Sequence, residues 1–305
     1  MNKLKPLPEE WSGLLNNEQK EAIENINGPL LIIAGAGSGK TRVLTYRYAH
    51  LIKTYGINFE NVLAITFTNK AANEMKDRIS DLLNLELSPK WISTFHSLCV
   101  KMLRIHGHLI GFNNNFTIYD QSDSTKLVRN CMRDSDIDTK QYSPKRIQAH
   151  ISSLKNQRIL PGEAVEFAQS FFDVKVAEIY SSYQKKLMLA NSMDFDDLLI
   201  KAVELLETSD KSLNYWSSKF QYIMIDEYQD TNMVQYRLVE LLASKHKNIC
   251  VVGDSDQSIY AFRGADIRNI EEFESDFKNA KVISLEKNYR SSQKILDIAN
   301  AVISN

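Results

Sequence analysis

The sequence predicts an α/β fold: a parallel sheet covered by helices on both faces, with a helical block inserted between two of its βα stretches. Three observations predict it. Short apolar, β-branched runs bounded by turn signals recur along the 305 residues. Helical apolar spacing lies between most of these runs. From residue 120 to about 190 convincing strands are missing and only helical patterns remain.

The elements follow in order. Residues 30–33 form the first apolar run, and 40–52 carry a helical pattern. A second run, 62–66, precedes a helix over 71–83. A third, 91–93, precedes a helix over 95–105. The block without strands reads as helices at 122–132, 144–155, 162–172 and 174–189. The alternation then resumes with strands at 222–225, 249–252 and 282–285, and helices at 234–242 and 293–303. Strands alternating with helices imply a parallel sheet.

Bulk properties exclude several classes. No apolar run approaches about 18 residues, which argues against a membrane-spanning helix, and residues 1–11 lack the apolar stretch of a signal peptide. Cys99, Cys131 and Cys250 lie far apart without a Cys-x-x-Cys pair, which argues against a disulfide framework or zinc site and suits the cytoplasm. His106 and His108 read as surface residues. The net charge of −1 gives no global sign of nucleic-acid binding. Two windows nevertheless lack Asp and Glu: 87–119, with Lys90, Lys101 and Arg104, and 139–162, with Lys140, Lys145, Arg146, Lys155 and Arg158. They read equally as phosphate-facing surfaces and as chance on solvated helix faces.

After the first run comes Ala34-Gly35-Ala36-Gly37-Ser38-Gly39-Lys40-Thr41. This is Walker A spacing with Ala34 in place of the leading Gly, a position that opens the turn and accepts Ala with little strain. The glycines let backbone N–H groups converge on phosphate oxygens at a helix N-terminus. Lys40 can reach the β- and γ-phosphates, and the Thr41 hydroxyl can ligate Mg²⁺. The alternative, a plain glycine-rich strand-to-helix turn, explains neither Lys40 nor Thr41.

The run at 222–225 ends in Asp226-Glu227. Carboxylates at the C-terminal end of a parallel strand stand where such sheets bind ligands. Asp226 is expected to hold the magnesium and Glu227 to polarise the attacking water. Gln257, in the turn after the next strand, can contact a γ-phosphate. Nucleoside triphosphate hydrolysis is therefore the expected chemistry.

The chain also resembles the UvrD/Rep/PcrA group of superfamily 1 DNA helicases. The resemblance rests on Leu15-Asn16-Asn17-Glu18-Gln19, the phosphate loop, Ala64-Ile65-Thr66-Phe67-Thr68-Asn69-Lys70-Ala71-Ala72 and Ser93-Thr94-Phe95-His96-Ser97. It continues through Asp194-Phe195-Asp196-Asp197-Leu198, Ile225 to Asp230, Val252 to Ala265, and Leu285-Glu286-Lys287-Asn288-Tyr289-Arg290-Ser291. The strings occur in the family's order along nearly the whole chain.

The resemblance implies a RecA-like P-loop NTPase domain that binds ATP with Mg²⁺. Gln19 would read the adenine edge, although Asn16-x-x-Gln19 is also capping-box spacing, and the two roles are compatible. Arg42 would lie near the nucleotide or else be a surface arginine of the first helical turn. Tyr289 would stack on the base, and Arg290 would act as an arginine finger, worth on the order of 10³–10⁵ in rate in related chemistry. Thr66, Phe67, Asn69, His96, Tyr260, Phe262 and Arg263 would face single-stranded DNA, with Phe67, Tyr260 and Phe262 stacking on bases. Many members carry Trp where Phe262 stands. Phe67 also suits a core, and His96 also suits a structural hydrogen bond. Asp194, Asp196 and Asp197 invite a metal reading, but a helix N-terminus stabilised by the macrodipole fits them better.

The resemblance also sets the expected organisation. Residues 1–112 and 191–276 form the first RecA-like domain, 113–190 a helical insertion, and 277–305 the beginning of a second RecA-like domain. The family's later motifs would lie beyond Asn305, so the chain reads as the N-terminal portion of a helicase or translocase with 3′-to-5′ polarity and weak or no unwinding by itself. Expected partners are single-stranded DNA, junctions with duplex DNA, and repair or replication proteins, with no membrane. Two other readings are the motor subunit of a recombination helicase-nuclease and a non-catalytic module binding single-stranded DNA.

Overall fold

A computed structural model describes residues 4–84, 89–257 and 268–303. The chain divides into two compact units. Met1–Phe95, Asn214–Thr231 and Leu242–Asn305 make the first; His96–Leu213 and Asn232–Leu241 make the second.

The N-terminal part runs α1 (Glu9–Ser12), α2 (Asn17–Glu24), β1 (Leu30–Ala34), α3 (Lys40–Lys53), β2 (Val62–Thr66), α4 (Asn69–Leu83), β3 (Ile92–Thr94) and α5 (Phe95–His106). The middle runs β4 (Thr117–Ile118), α6 (Gln121–Asp134), α7 (Pro144–Asn156), α8 (Phe171–Leu189), β5 (Ser192–Met193), α9 (Phe195–Thr208) and α10 (Asp210–Lys219). The remainder is β6 (Tyr222–Ile225), α11 (Met233–Ala243), β7 (Ile249–Gly253), α12 (Arg268–Glu271), α13 (Phe273–Asp276), β8 (Lys281–Leu285) and α14 (Gln293–Ile303).

In the first unit six strands form one sheet in the order β3-β2-β6-β7-β1-β8, and every pairing is parallel. Strands β2, β6 and β7 are buried at every position, which is why they read as continuous apolar runs rather than alternating ones. Val43, Leu44 and Tyr48 of α3 and Met75 and Ile79 of α4 share one core with Leu30, Ile32, Val62, Met224 and Val252. Burying each large aliphatic side chain contributes about 1.5–3 kcal/mol. Helix α4 starts where Thr68 accepts the Ala71 N–H (3.1 Å) and stops at Asn84, whose φ of 50° is left-handed. Because the strands run parallel, Ala34, Thr66, Asp226 and Asp254 all emerge at the same edge of the sheet.

Residues 281–285, expected to open a second domain, form β8 and pair with β1 in register from Leu30↔Lys281 to Ala34↔Leu285. Only Ile283 and Leu285 of this strand are buried. That half-covered pattern suits the outermost strand, and β8 covers the hydrogen-bonding edge that β1 would otherwise expose.

The second unit is helical apart from the parallel β4–β5 pair. Val128, Met132, Ile147, Ile151, Val176, Ile179, Tyr180, Tyr183 and Leu187 form its core. It is wider than the expected insertion at 113–190, because α5, α9 and Asn232–Leu241 cluster with it. The helix expected over 162–172 is corrected: residues 161–167 form successive turns, with Glu163 and Ala164 both donating to Leu160 O. The helix begins only after Ser170, whose hydroxyl caps the Asp173 N–H. The periodicity of Ala164, Val165 and Ala168 is therefore carried by turns that never propagate. Among the described residues no helix is long and apolar enough to cross a membrane, and all three cysteines are free and buried.

Candidate active site

The phosphate loop closes on itself before α3 begins. Ser38 donates from both N and Oγ to Gly35 O (3.2 and 2.8 Å). Gly37 (φ 73°) and Gly39 (φ 94°) are left-handed, a conformation that L side chains enter only with strain. Gly39 caps α3, so the unpaired N–H groups of the first turn face the loop.

The carboxylates of β6 reach this loop. Thr41 Oγ1 donates to Asp226 Oδ2 (3.2 Å), and Lys40 Nζ lies 3.1 Å from Glu227 Oε2 and 4.0 Å from Asp254 Oδ2. Glu227 is itself left-handed (φ 53°), an uncommon conformation for a non-glycine residue that turns its side chain back toward Lys40. Burial, and then the neighbouring Glu227 charge, push the Asp226 carboxyl up to about 6. Asp230 is pushed up to about 6 by the same two causes. Lys40 pulls both carboxyls back down, but less than burial and Glu227 raise them. Among the described residues no group of three or more His, Cys, Asp or Glu could hold a metal. A magnesium site needs none, since Mg²⁺ typically takes one or two carboxylates plus water and substrate phosphates. The residues present fit that arrangement.

Ala36, Gly37, Gly39, Lys40, Thr41, Arg42, Glu227, Gln257 and Arg290 line one cleft of about 280 Å³. Three residues that sequence reasoning missed also line it: Ala71, Glu74 and Arg78. Glu74 and Arg78 pair with each other one helical turn apart, a spacing that was visible in the sequence. Gln257 is tied to Asp254 through its side-chain amide. Asn288, also missed, donates to Ala36 O and accepts from the N–H groups of Arg290 and Ser291 (2.8 Å each). With Tyr289 N donating to Gly37 O (2.9 Å), it seats the Tyr289-Arg290 segment on the phosphate loop.

At the other end of the loop the capping box is formed: Gln19 N donates to Asn16 Oδ1 (2.7 Å) and Asn16 N to Gln19 Oε1 (3.2 Å). Gln19 Nε2 donates to Ser38 O (3.0 Å), and Asn16 Nδ2 donates to the Tyr289 hydroxyl (3.1 Å). Gln19, Asn16 and Tyr289 are thereby gathered beside the cradle, with Tyr289 half exposed. Ala34 is buried at the end of β1, and Arg42 lies over the Tyr46 ring at 5.6 Å.

The DNA-facing candidates are spread over both units. In the first, Thr66 is buried and donates to Thr68 O (3.1 Å); Asn69 is exposed; Phe67 is partly buried, edge-on to Phe95 at 5.9 Å. In the second, burial lowers the His96 pKa, and the ring meets Phe195 edge-on at 6.1 Å. Phe195 is 52% exposed at the start of α9. Tyr260, Phe262 and Arg263 lie outside the described residues.

Asp194 and Asp197 form the capping box of α9, as the helix-start reading expects. Their cation is Lys155, whose ammonium lies 2.7 Å from each carboxylate and is fully buried. Tyr183 donates to Asp194 as well (2.8 Å). Arg158 pairs with Glu207, so two cations of the second acid-free window serve structure rather than phosphate. In the first window, Arg104 donates to Asn114 O and lies over the Phe116 ring.

A family model described as the UvrD/REP helicase N-terminal domain matches residues 15–278. The chain is 50% identical over 291 residues to the ATP-dependent DNA helicase PcrA of Staphylococcus aureus (strain Mu50), covering 95% of this chain and 40% of that protein. It is also 50% identical over 289 residues to PcrA of Staphylococcus epidermidis, again with 95% and 40% covered. The chain thus spans about 40% of the length of the curated relatives it matches.

Proposed function

The chain belongs to the UvrD/REP helicase family, and on that premise we propose that it carries the nucleotide-hydrolysing site of an ATP-dependent motor acting on single-stranded DNA. The observation that carries the proposal is the convergence of Lys40, Thr41, Asp226 and Glu227 within hydrogen-bonding range across 185 or more residues of sequence.

In this reading the loop from Ala34 to Gly39 wraps the phosphates with backbone N–H groups, and Lys40 leaves Glu227 to meet the β- and γ-phosphates. Thr41 and Asp226 would hold Mg²⁺, which would supply positive charge against the phosphates. Glu227, released from Lys40, accepts a proton from the attacking water. Gln257 contacts the γ-phosphate, and Arg290, seated beside Gly37, offers its guanidinium to the same charge. Tyr289 and Gln19 take the base end. Gln19 keeps one amide hydrogen and one carbonyl lone pair beyond the contacts described above, enough to read an adenine edge.

For the DNA, Phe67 in the first unit and His96 with Phe195 in the second are the candidate rings, since stacking tolerates any base. Tyr260, Phe262 and Arg263 are retained as candidates from the sequence. The 3′-to-5′ polarity is carried from the family resemblance.

The test is ATP hydrolysis by this chain with and without single-stranded DNA, beside a Lys40→Ala control. Turnover that DNA stimulates and the substitution abolishes supports the motor. DNA binding indifferent to nucleotide would instead favour a non-catalytic binding module.

A further inference from the structure

Gln229 lies two residues beyond Glu227 in the short turn Tyr228–Asp230 and is 2% exposed. Its carboxamide makes two bonds whose direction is forced. The Asp254 backbone N–H can only donate, so Gln229 Oε1 must face it (3.1 Å). That orientation turns Nε2 toward Glu227 Oε2, to which it donates at 2.9 Å. The carboxamide therefore bridges the carboxylate after β6 and the first residue after β7. The neighbouring strand end leaves it little room: a Cβ on Gly253 would stand 3.2 Å from Gln229 Oε1 and 2.7 Å from Ile270 Cδ1.

Two donors converge on Glu227 Oε2, Gln229 Nε2 and Lys40 Nζ. Only one of them is transferable. A phosphate in the cradle draws Lys40 away, because that ammonium is its natural partner, whereas the buried carboxamide stays pinned by Asp254. Among the described residues no donor is fixed on Glu227 Oε1.

We propose that Gln229 is a positioning residue that holds Glu227 Oε2 so that Oε1 faces the attacking water, and that it ties this carboxylate to the Asp254–Gln257 turn. The proposal rests on the reading of Glu227 as the proton acceptor. Through the bridge, a shift of the turn that carries Gln257 is felt at the carboxylate without any change in the cradle.

The test compares Gln229→Met, which keeps length and bulk but neither donates nor accepts, in the native chain and in a Glu227→Gln background. In the native chain kcat is expected to fall by at least about tenfold while the KM and Kd for ATP stay put. In the Glu227→Gln background the same change is expected to alter kcat by less than about twofold, because residues acting as a unit are not additive. Losses that multiply, or a matching loss of ATP affinity, would overturn the positioning role and leave a buried amide that merely satisfies its neighbours. A second readout needs no nucleotide. Glu227→Ala is expected to shift the Gln229 side-chain amide resonances in NMR spectra, and Gln229→Met to shift the Asp254 backbone amide. Resonances that do not move would overturn the bridge. If Glu227→Gln alone leaves turnover intact, the hydrolysis reading fails, and the amide spectra still decide whether the bridge exists.

Discussion

Lys40 Nζ lies 3.1 Å from Glu227 Oε2: the cation proposed for phosphate rests on the carboxylate proposed for water. Each holds the other in place until a nucleotide separates them. Lys40→Ala is therefore expected to lower ATP turnover about 10²–10³-fold, the usual effect of deleting one group that stabilises developing charge. Steady-state kinetics beside fluorescent-nucleotide titration check it; unchanged turnover would remove Lys40 from the site.

Asp226 makes stability depend on pH. Its carboxyl is raised to about 6 by burial and Glu227, above the unfolded value of about 3.9. Between these values the folded state holds more protons than the unfolded one, so this group's contribution to stability declines as pH rises through the window and is flat beyond it. Asp226→Asn removes that decline. The variant should gain about 2–3 kcal/mol on the native chain between pH 4 and pH 7, read by urea unfolding without nucleotide, while losing magnesium-dependent turnover. A stability difference that ignores pH would contradict the assignment.

The pair Gly35 and Gly37 offers a contrast. A Cβ at Gly35 meets nothing within 4 Å, whereas one at Gly37 would fall 2.6 Å from Arg290 Cβ, at a φ of 73°. Gly37→Ala should cost about 1–3 kcal/mol in stability from the left-handed backbone and displace Arg290. Gly35→Ala should leave the thermal midpoint within error. Equal effects at the two positions would refute the packing argument.

Lys155→Met leaves Asp194 and Asp197 buried without their cation. The loss is expected at about 3–5 kcal/mol, measured by urea denaturation. Burial and Asp194 already push Asp197 up to about 6 against the pull of Lys155, so removing the ammonium concentrates the penalty at neutral pH. The loss should shrink as the carboxyls protonate in mild acid.

Phe67 and Phe95 touch edge-on but differ in exposure, Phe95 being 2% exposed and Phe67 only partly buried. Phe67→Ala should weaken single-stranded DNA binding by about 1–3 kcal/mol with little change in stability. Phe95→Ala should do the reverse, destabilising the fold by about 3–5 kcal/mol. Fluorescence anisotropy and thermal unfolding on the same two variants separate the cases.

The strands β1, β2, β6 and β7 were legible because a parallel strand covered on both faces has to be a continuous apolar run, and such runs are rare by chance. Helices with strong caps were legible for a similar reason, Asn16 before α2 and Asp194 before α9 supplying the side-chain acceptor that a helix start requires. The expected helix over 162–172 failed because spacing alone does not say whether turns propagate, and Ser170 restarts the chain. The pairing of 281–285 with β1 was not legible. A strand's length and composition do not reveal which sheet edge is vacant, and β1 had one.

The sequence by itself determined the glycine-rich turn before α3, the carboxylates after β6 and the order of the motifs, because each is a short contiguous string that depends on neighbours in the chain. Only the tertiary structure decided that Lys40 lies against Glu227, 187 residues away, and that Lys155 satisfies acids 39 and 42 residues further on. It alone places Gln229 between Glu227 and Asp254. Those pairings join residues that any string of this composition could contain. They exist because the parallel sheet brings its strand ends to one edge, and because a buried charge or amide must find a partner there.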